Sequence, residues 1–273
     1  MPELPDLEVI KECLERALPG QRIEAVEVLR PLVVRSLLSE RSLSILEGDS
    51  IAGVRRRGKF LLLDLASGLI VVVNPMLAGR LQYCPPERRR SARTILVLML
   101  SGGNELRYVD PKSMGKVYLT SDEGVVPGFA GQGPEALDPE LTVEVFRDRL
   151  GTRRGEIKGI LTNQVVVAGI GNAYADEILF EAGLYPFRKR PSLSEEQVGH
   201  LYQSMRRVLS QATDTVRRQV GDRIEVEIRD FLQVHGKGGL PCPRCGGSIS
   251  EITARGRVTN FCRTCQPGKM IEG

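Results

Sequence analysis

Four cysteines near the C-terminus, Cys242, Cys245, Cys262 and Cys265, follow the spacing C-x2-C-x16-C-x2-C, which constrains the fold more than any other feature of this 273-residue chain. Each pair fits a tight turn, and two such turns can present four thiolates tetrahedrally to one zinc ion. Two disulfides are the alternative. The opening MPELPDLEVI has neither the basic start nor the apolar run of a secretory signal, so a reducing, cytoplasmic setting is expected, and there zinc is favoured. Four cysteines close the shell and leave no position for water. The expected ion is therefore one structural Zn2+ that folds a tail too short to bury a core of its own. Cys13 and Cys84 have no ligand-like partner and read as ordinary thiols.

The remaining chain is long enough for two ordinary domains. Aromatic residues make up 5% and Trp is absent, so Leu, Val and Ile must carry the core. No run approaches the roughly 18 apolar residues of a membrane helix. Leu7, Ile10, Leu14 and Leu18 at helical spacing, with Pro19-Gly20 closing, predict a helix over 6–18. From 22 to about 120 the pattern becomes β-rich, including 60–65, 69–74, 94–100 and 105–109, divided by Gly68 and the turn 101–104. Two packed sheets fit this pattern. Helical spacing then returns over 142–150, 154–162, 172–183 and 194–213, with the two glycines of Val167-Ala168-Gly169-Ile170-Gly171-Asn172 between the second and third helices.

Residues 201–273 hold 12 Lys/Arg against 7 Asp/Glu in a chain of net charge +4, so the basic excess is C-terminal and compatible with a polyanion. Arg255 and Arg257 stand between the cysteine pairs, and Arg244 and Arg263 lie within them. A metal-fixed hairpin of arginines suits phosphate, which the planar guanidinium grips at two oxygens.

Together, MPELPD, RRGKFLLLDL at 56–65, AGIGNAYADEILF at 168–180 and the four-cysteine tail resemble the formamidopyrimidine-DNA glycosylase and endonuclease VIII family across the whole chain, in order. The resemblance implies an α+β multidomain fold. An N-terminal helix and β-sandwich (1–127) would precede a helix-two-turn-helix domain (128–236) and a zinc finger (237–273), with double-stranded DNA bound in the cleft between the two halves. It also implies a base-excision-repair glycosylase and AP lyase, monomeric, acting on a damaged base or abasic site.

In that reading Met1 is trimmed and Pro2 is the nucleophile. Its secondary amine, titrating near about 8, attacks C1′ to give an iminium, the electron sink for β- and δ-elimination. Glu3 is the acid–base partner, and Lys59 meets phosphate and assists catalysis. Asn172 and the amides near it hold the phosphate beside the lesion, while Arg257 reaches the phosphate on the other side and counts with the catalytic set. Leu77, or alternatively Met76, wedges into the vacated stack. Lys112 and Met114 occupy the other void-filling positions.

The chain departs from the family pattern at Asp6, where Glu is usual, and at Asn74-Pro75-Met76-Leu77-Ala78-Gly79. It departs again at Asp110-Pro111-Lys112-Ser113-Met114-Gly115, where Lys112 and Met114 replace Arg and Phe. Lysine cannot reproduce arginine's paired bonds to an orphaned base, which alters the expected partner-base preference. The stretch 218–235 is shorter than in members that close a loop over 8-oxoguanine, so ring-opened purines or oxidised pyrimidines are the expected lesions. Two rival functions remain at this stage: a non-catalytic DNA-damage binder of the same fold, and a zinc-ribbon protein that binds RNA.

Overall fold

The N-terminal helix α1 spans Leu4–Ala17. Asp6 accepts a 2.8 Å hydrogen bond from the Glu3 backbone N–H, and the Glu3 side chain reciprocates, which forms a capping box at the helix start. The shorter Asp6 thus satisfies a helix-end donor. Leu7, Ile10 and Leu14 lie on one face and bury it.

This computed structural model describes residues 1–39, 42–151, 153–254 and 256–268. It divides into two units, one formed by Met1–Gly131 with Thr213–Ile228 and the other by Gln132–Ala212 with Arg229–Gly273. Among the described residues no helix is long and apolar enough to cross a membrane.

The first unit contains two sheets. Strands β1 (Ile23–Val28), β2 (Val34–Ser36), β3 (Ile51–Arg57), β4 (Phe60–Leu65), β5 (Ile70–Asn74), β6 (Arg80–Cys84), β7 (Thr94–Leu100), β8 (Glu105–Val109) and β9 (Lys116–Thr120) pair in the orders β1-β7-β8-β6 and β2-β9-β5-β4-β3. Strand alternation explains the layering. On β4, Leu61, Leu63 and Leu65 join the main core, which combines both sheets with α1, whereas Phe60 and Leu62 pack on the opposite face with Val72, Tyr118 and Phe129. The β3–β4 connection is a two-residue turn, Gly58-Lys59, because Arg57 pairs with Phe60; Gly58 takes φ +55°, which such a turn requires.

The second unit is helical with a β-hairpin. It holds α2 (Val143–Gly151), α3 (Ile157–Leu161), α4 (Asn172–Glu181), most of α5 (Glu195–Val220) and the hairpin β10 (Ile249–Ala254) and β11 (Arg257–Cys262). Helix α3 is shorter than the periodicity of 154–162 predicts, since Glu156 is extended and bridges to Lys189. Helix α5 outruns the predicted end at 213. Its last part belongs to the first unit, where Val216 and Val220 are buried and Arg217 pairs with Glu12 of α1 at 2.8 Å.

Leu63 is 2% exposed in the main core. Leu63→Ala should lower the free energy of unfolding by about 2–5 kcal/mol, the range for deleting a buried leucine side chain. Urea denaturation measures it, and a loss below about 1 kcal/mol would contradict the core assignment.

Candidate functional site

In the first unit Pro2 and Glu3 are both buried at the start of α1. The Met1 ammonium donates to Glu227 Oε1 at 3.0 Å, and Arg80 binds the other oxygen of the same carboxylate. Lys59 occupies the β3–β4 turn. Arg56 positions that turn against the helix: its Nε donates to Glu8 of α1 at 2.6 Å and its Nη1 to the Gly58 carbonyl at 3.0 Å. Neither Arg56 nor Glu8 was assigned a role from sequence, because a salt bridge spanning 48 residues leaves no local pattern.

The loops Asn74–Gly79 and Asp110–Gly115 are neighbours, since Asn74 of β5 pairs with Lys116 of β9. Met76, Leu77 and Met114 are 40%, 43% and 42% exposed, and Lys112 is exposed. Solvent-facing apolar tips on two adjoining loops suit insertion into an apolar partner such as a base stack. Glu225 pairs with Arg88 at 2.8 Å, so the 213–228 segment is tied to the sandwich by its acidic residues.

In the second unit the four cysteine sulfurs all lie within 4.8 Å of one another, with Cys242–Cys265 at 3.8 Å and Cys245–Cys262 at 3.5 Å. A tetrahedron with zinc–sulfur bonds of about 2.3 Å has sulfurs about 3.8 Å apart, close to the two pair distances here, so the four side chains are grouped as the ion requires. None of the four is joined in a disulfide, and all four sulfurs converge on one point as metal ligands do. Cys242, Cys245, Cys262 and Cys265 hold one structural zinc. Arg244, inside the first pair, turns inward: it donates to the Phe180 carbonyl at 2.8 Å and lies over the Phe180 ring. Arg263 donates to Ser250 at 3.0 Å. Arg255 lies outside the described residues.

A cavity of about 660 Å3 in this unit is lined by Lys158, Thr162, Asn172, Lys189, Arg257 and Thr259, among others. It brings Asn172 and Arg257 together although 85 residues separate them in sequence. Asn172 opens α4, whose N-terminal dipole favours an anion. Its Nδ2 donates to the Val258 carbonyl at 2.7 Å, one residue from Arg257. Arg257 is exposed and, among the described residues, makes no ion pair. The preceding turn is braced by Gln164, whose amide donates to the Ile170 carbonyl at 2.8 Å and whose oxygen accepts from Gly169 N–H at 2.9 Å; Gly169 adopts φ +93°, open to glycine at little cost.

Beneath the cavity Asp176 is fully buried and joins Lys158 at 2.7 Å, His235 Nδ1 at 2.8 Å and the Asn260 backbone N–H at 3.1 Å. Lys158 also donates to the Val258 carbonyl at 2.9 Å and to Thr259 at 2.8 Å. The next residue, Glu177, accepts from the backbone amides of Gln233, Val234 and His235. Burial pushes the Glu177 carboxyl above its ordinary range, and those three amides oppose the shift. Asp176 and Glu177 lie inside the motif AGIGNAYADEILF, which was the available signal; their role was not legible there.

Family comparison agrees with this layout. The model for the formamidopyrimidine-DNA glycosylase N-terminal domain matches residues 1–117, that for the H2TH domain 132–222, and that for the zinc finger found in FPG and IleRS 239–268. The chain belongs to the formamidopyrimidine-DNA glycosylase family. A formamidopyrimidine-DNA glycosylase of Symbiobacterium thermophilum is 39% identical over 98% of this chain and 90% of its own. The Moorella thermoacetica member is 40% identical over 92% and 94%. Among solved structures, the Lactococcus lactis Fpg in complex with abasic-site DNA superposes with a TM-score of 0.88, 30% identity and coverage of 97% and 100%. Its complex with Fapy-dG DNA also gives 0.88 and 30%, over 97% of this chain and 100% of that one.

Because the metal folds the tail in this family member, stripping zinc with a chelator at neutral pH should unfold the 237–268 hairpin. Amide exchange there should rise to that of an unstructured peptide, while the amides of β4 and β7 stay protected. Unchanged protection in the hairpin after confirmed metal loss would contradict a structural role.

Proposed function

We propose that this chain is a base-excision-repair DNA glycosylase with AP lyase activity. The observation that carries the reading is its near-complete match to glycosylases of that name, one of them solved on abasic and Fapy-dG DNA. The buried Pro2-Glu3 pair at the start of α1 and the Asn172–Arg257 cavity supply groups suited to that chemistry. It works as a monomer in the cytoplasm, on double-stranded DNA carrying a damaged base or abasic site.

Removal of Met1 converts the Pro2 nitrogen from an amide into a secondary amine. Its lone pair attacks C1′ of the damaged nucleotide, the glycosidic bond breaks, and the base leaves with a proton. Opening of the sugar ring yields the iminium. Loss of a C2′ proton then expels the 3′ phosphate (β-elimination), and a second loss expels the 5′ phosphate (δ-elimination). Glu3 moves protons at the sugar, and Lys59 meets a phosphate from the β3–β4 turn. Asn172, the α4 N-terminus and Arg257 hold the backbone on either side of the lesion. Leu77 or Met76, with Lys112 and Met114, fills the space left by the extruded nucleotide. Ring-opened purines or oxidised pyrimidines are the preferred lesions.

Borohydride added to the mass-checked protein and an abasic duplex should trap a covalent complex with the Met1-free form. Pro2→Gly should slow trapping on the order of a hundredfold, in the range of losing a nucleophilic or general-base group, and a Met1-retaining form should trap nothing. A correctly processed protein that binds the duplex without trapping would favour the damage-binding reading.

Arg257→Ala should weaken binding evenly across ring-opened purine, thymine glycol, 8-oxoguanine and abasic duplexes. It should reduce the slope of log affinity against log salt by about 1, as loss of one phosphate contact requires. Equal affinity of variant and wild type would remove Arg257 from the interface, and a changed lesion ranking would make it a specificity residue instead.

A further inference from the structure

Tyr108 on β8 is 1% exposed, with its ring in the main core of the first unit. Its hydroxyl has no hydrogen-bond partner among the described residues, although a buried hydroxyl without one is costly. The hydroxyl ends between Gly79 and Gly115, the last residues of the two loops that carry Met76, Leu77, Lys112 and Met114. A methyl group at either glycine would overlap the Tyr108 hydroxyl. Only glycine lets the two loop ends close on it.

Both loops are held in defined, strained shapes. Met76 (φ 50°) and Ser113 (φ 51°) are the only non-glycine residues at positive φ among the described residues, and one lies at the tip of each loop. Asn74 Oδ1 accepts from Met76 N–H at 3.1 Å, and the Pro75 carbonyl from Gly79 N–H at 2.9 Å. In the second loop the fully buried Asp110 accepts from Lys112 N–H at 2.9 Å and Gly115 N–H at 2.7 Å. Each loop is fixed internally, and the tyrosine hydroxyl is where the two meet.

We infer that Tyr108 is a positioning residue that sets the two void-filling loops at a fixed spacing, so that Leu77 or Met76 from one loop and Lys112 and Met114 from the other enter the vacated stack as one unit and share in reading the opposite base. The inference rests on the DNA-glycosylase reading above. Tyr108 itself touches no substrate; it acts through Gly79 and Gly115. The ring supplies core burial that phenylalanine would keep, whereas the hydroxyl supplies the spacing.

Tyr108→Phe, Gly115→Ala and the double variant, each in the full zinc-loaded chain, separate these contributions. The readouts are thermal melting, steady-state excision against each opposite base, and fluorescence of 2-aminopurine placed opposite a tetrahydrofuran abasic analogue, which reports wedge insertion without any chemistry. Tyr108→Phe should melt like the wild type and bind the analogue duplex within about twofold. Its kcat for base excision should fall by about ten- to a hundredfold, since a misplacement of ~1 Å remote from the reacting atoms reaches ~10²-fold. Its fluorescence response should shrink and its opposite-base ranking flatten.

Gly115→Ala should lose the fluorescence response. The double variant should recover part of it, because with the hydroxyl gone the nearest atoms to the new methyl, the Asn74 carbonyl and the Tyr108 ring carbon, are 3.0 Å away. A wild-type response and opposite-base ratio in Tyr108→Phe, or a double variant no better than Gly115→Ala, would overturn the inference, as would a wild-type protein that binds but gives no fluorescence response. Failure of borohydride trapping alongside an intact wedge response would sink the catalytic reading and leave this one standing.

Discussion

Asp176 has no exposure to solvent, and a carboxylate so placed is stable only when its charge is matched and its oxygens accept hydrogen bonds. Lys158 supplies the charge, while His235 and the Asn260 amide supply further contacts. These partners come from α3, from the chain entering the zinc segment and from β11, so one buried group on α4 fastens α3 and β11, which carry Lys158 and Arg257, to the helix that Asn172 opens. The cysteines that hold the ion lie at the open end of the hairpin, Cys262 opposite Ile249, whereas Arg257 lies beside its turn. Asp176 and Lys158 decide where its strand lies against the helices, and hence where Arg257 stands. Removing one partner would leave the other charge buried and unmatched, which costs far more than the pair contributes by itself.

The first unit solves a comparable positioning problem, and its buried charges include the Arg107–Glu105 pair and Asp110. Its two sheets and α1 share an aliphatic core, and the groups of functional interest sit where regular structure stops: the start of α1, the Gly58-Lys59 turn, and the two loops after β5 and β8. Each is held by a small number of hydrogen bonds: the Glu3–Asp6 capping box, Arg56 between Glu8 and Gly58, Asn74 and Pro75 within the loop after β5, and Asp110 within the loop after β8. Non-glycine backbone in the left-handed region at Met76 and Ser113 persists because these bonds and the packing of Tyr108 over-determine it.

Much of this was legible in the sequence where the information is local. Strands 60–65, 94–100 and 105–109 fall where alternation and turn residues place them, and α1 and α4 follow the apolar period to within a few residues. The extension of α5 to Val220 was not legible, because its last two turns are polar apart from Val216 and Val220 and are stabilised by burial and by Arg217 on Glu12. Nor was the inward turn of Arg244: four arginines in a basic tail look alike until a neighbouring carbonyl and ring are in place.

The sequence by itself determined the zinc site, the order of sheets before helices, and the family, because cysteine spacing, side-chain alternation and short motifs are set by residues a few positions apart. Tertiary structure alone decided that Asn172 reaches to Val258, that Asp176 is the hub beneath the cavity, and that Tyr108 ends between two loop glycines. Most of those contacts join residues about 30 to more than 80 positions apart, and nothing in a linear pattern encodes which distant partner a buried polar group will meet; packing and the need to satisfy its charge or hydrogen bonds select it.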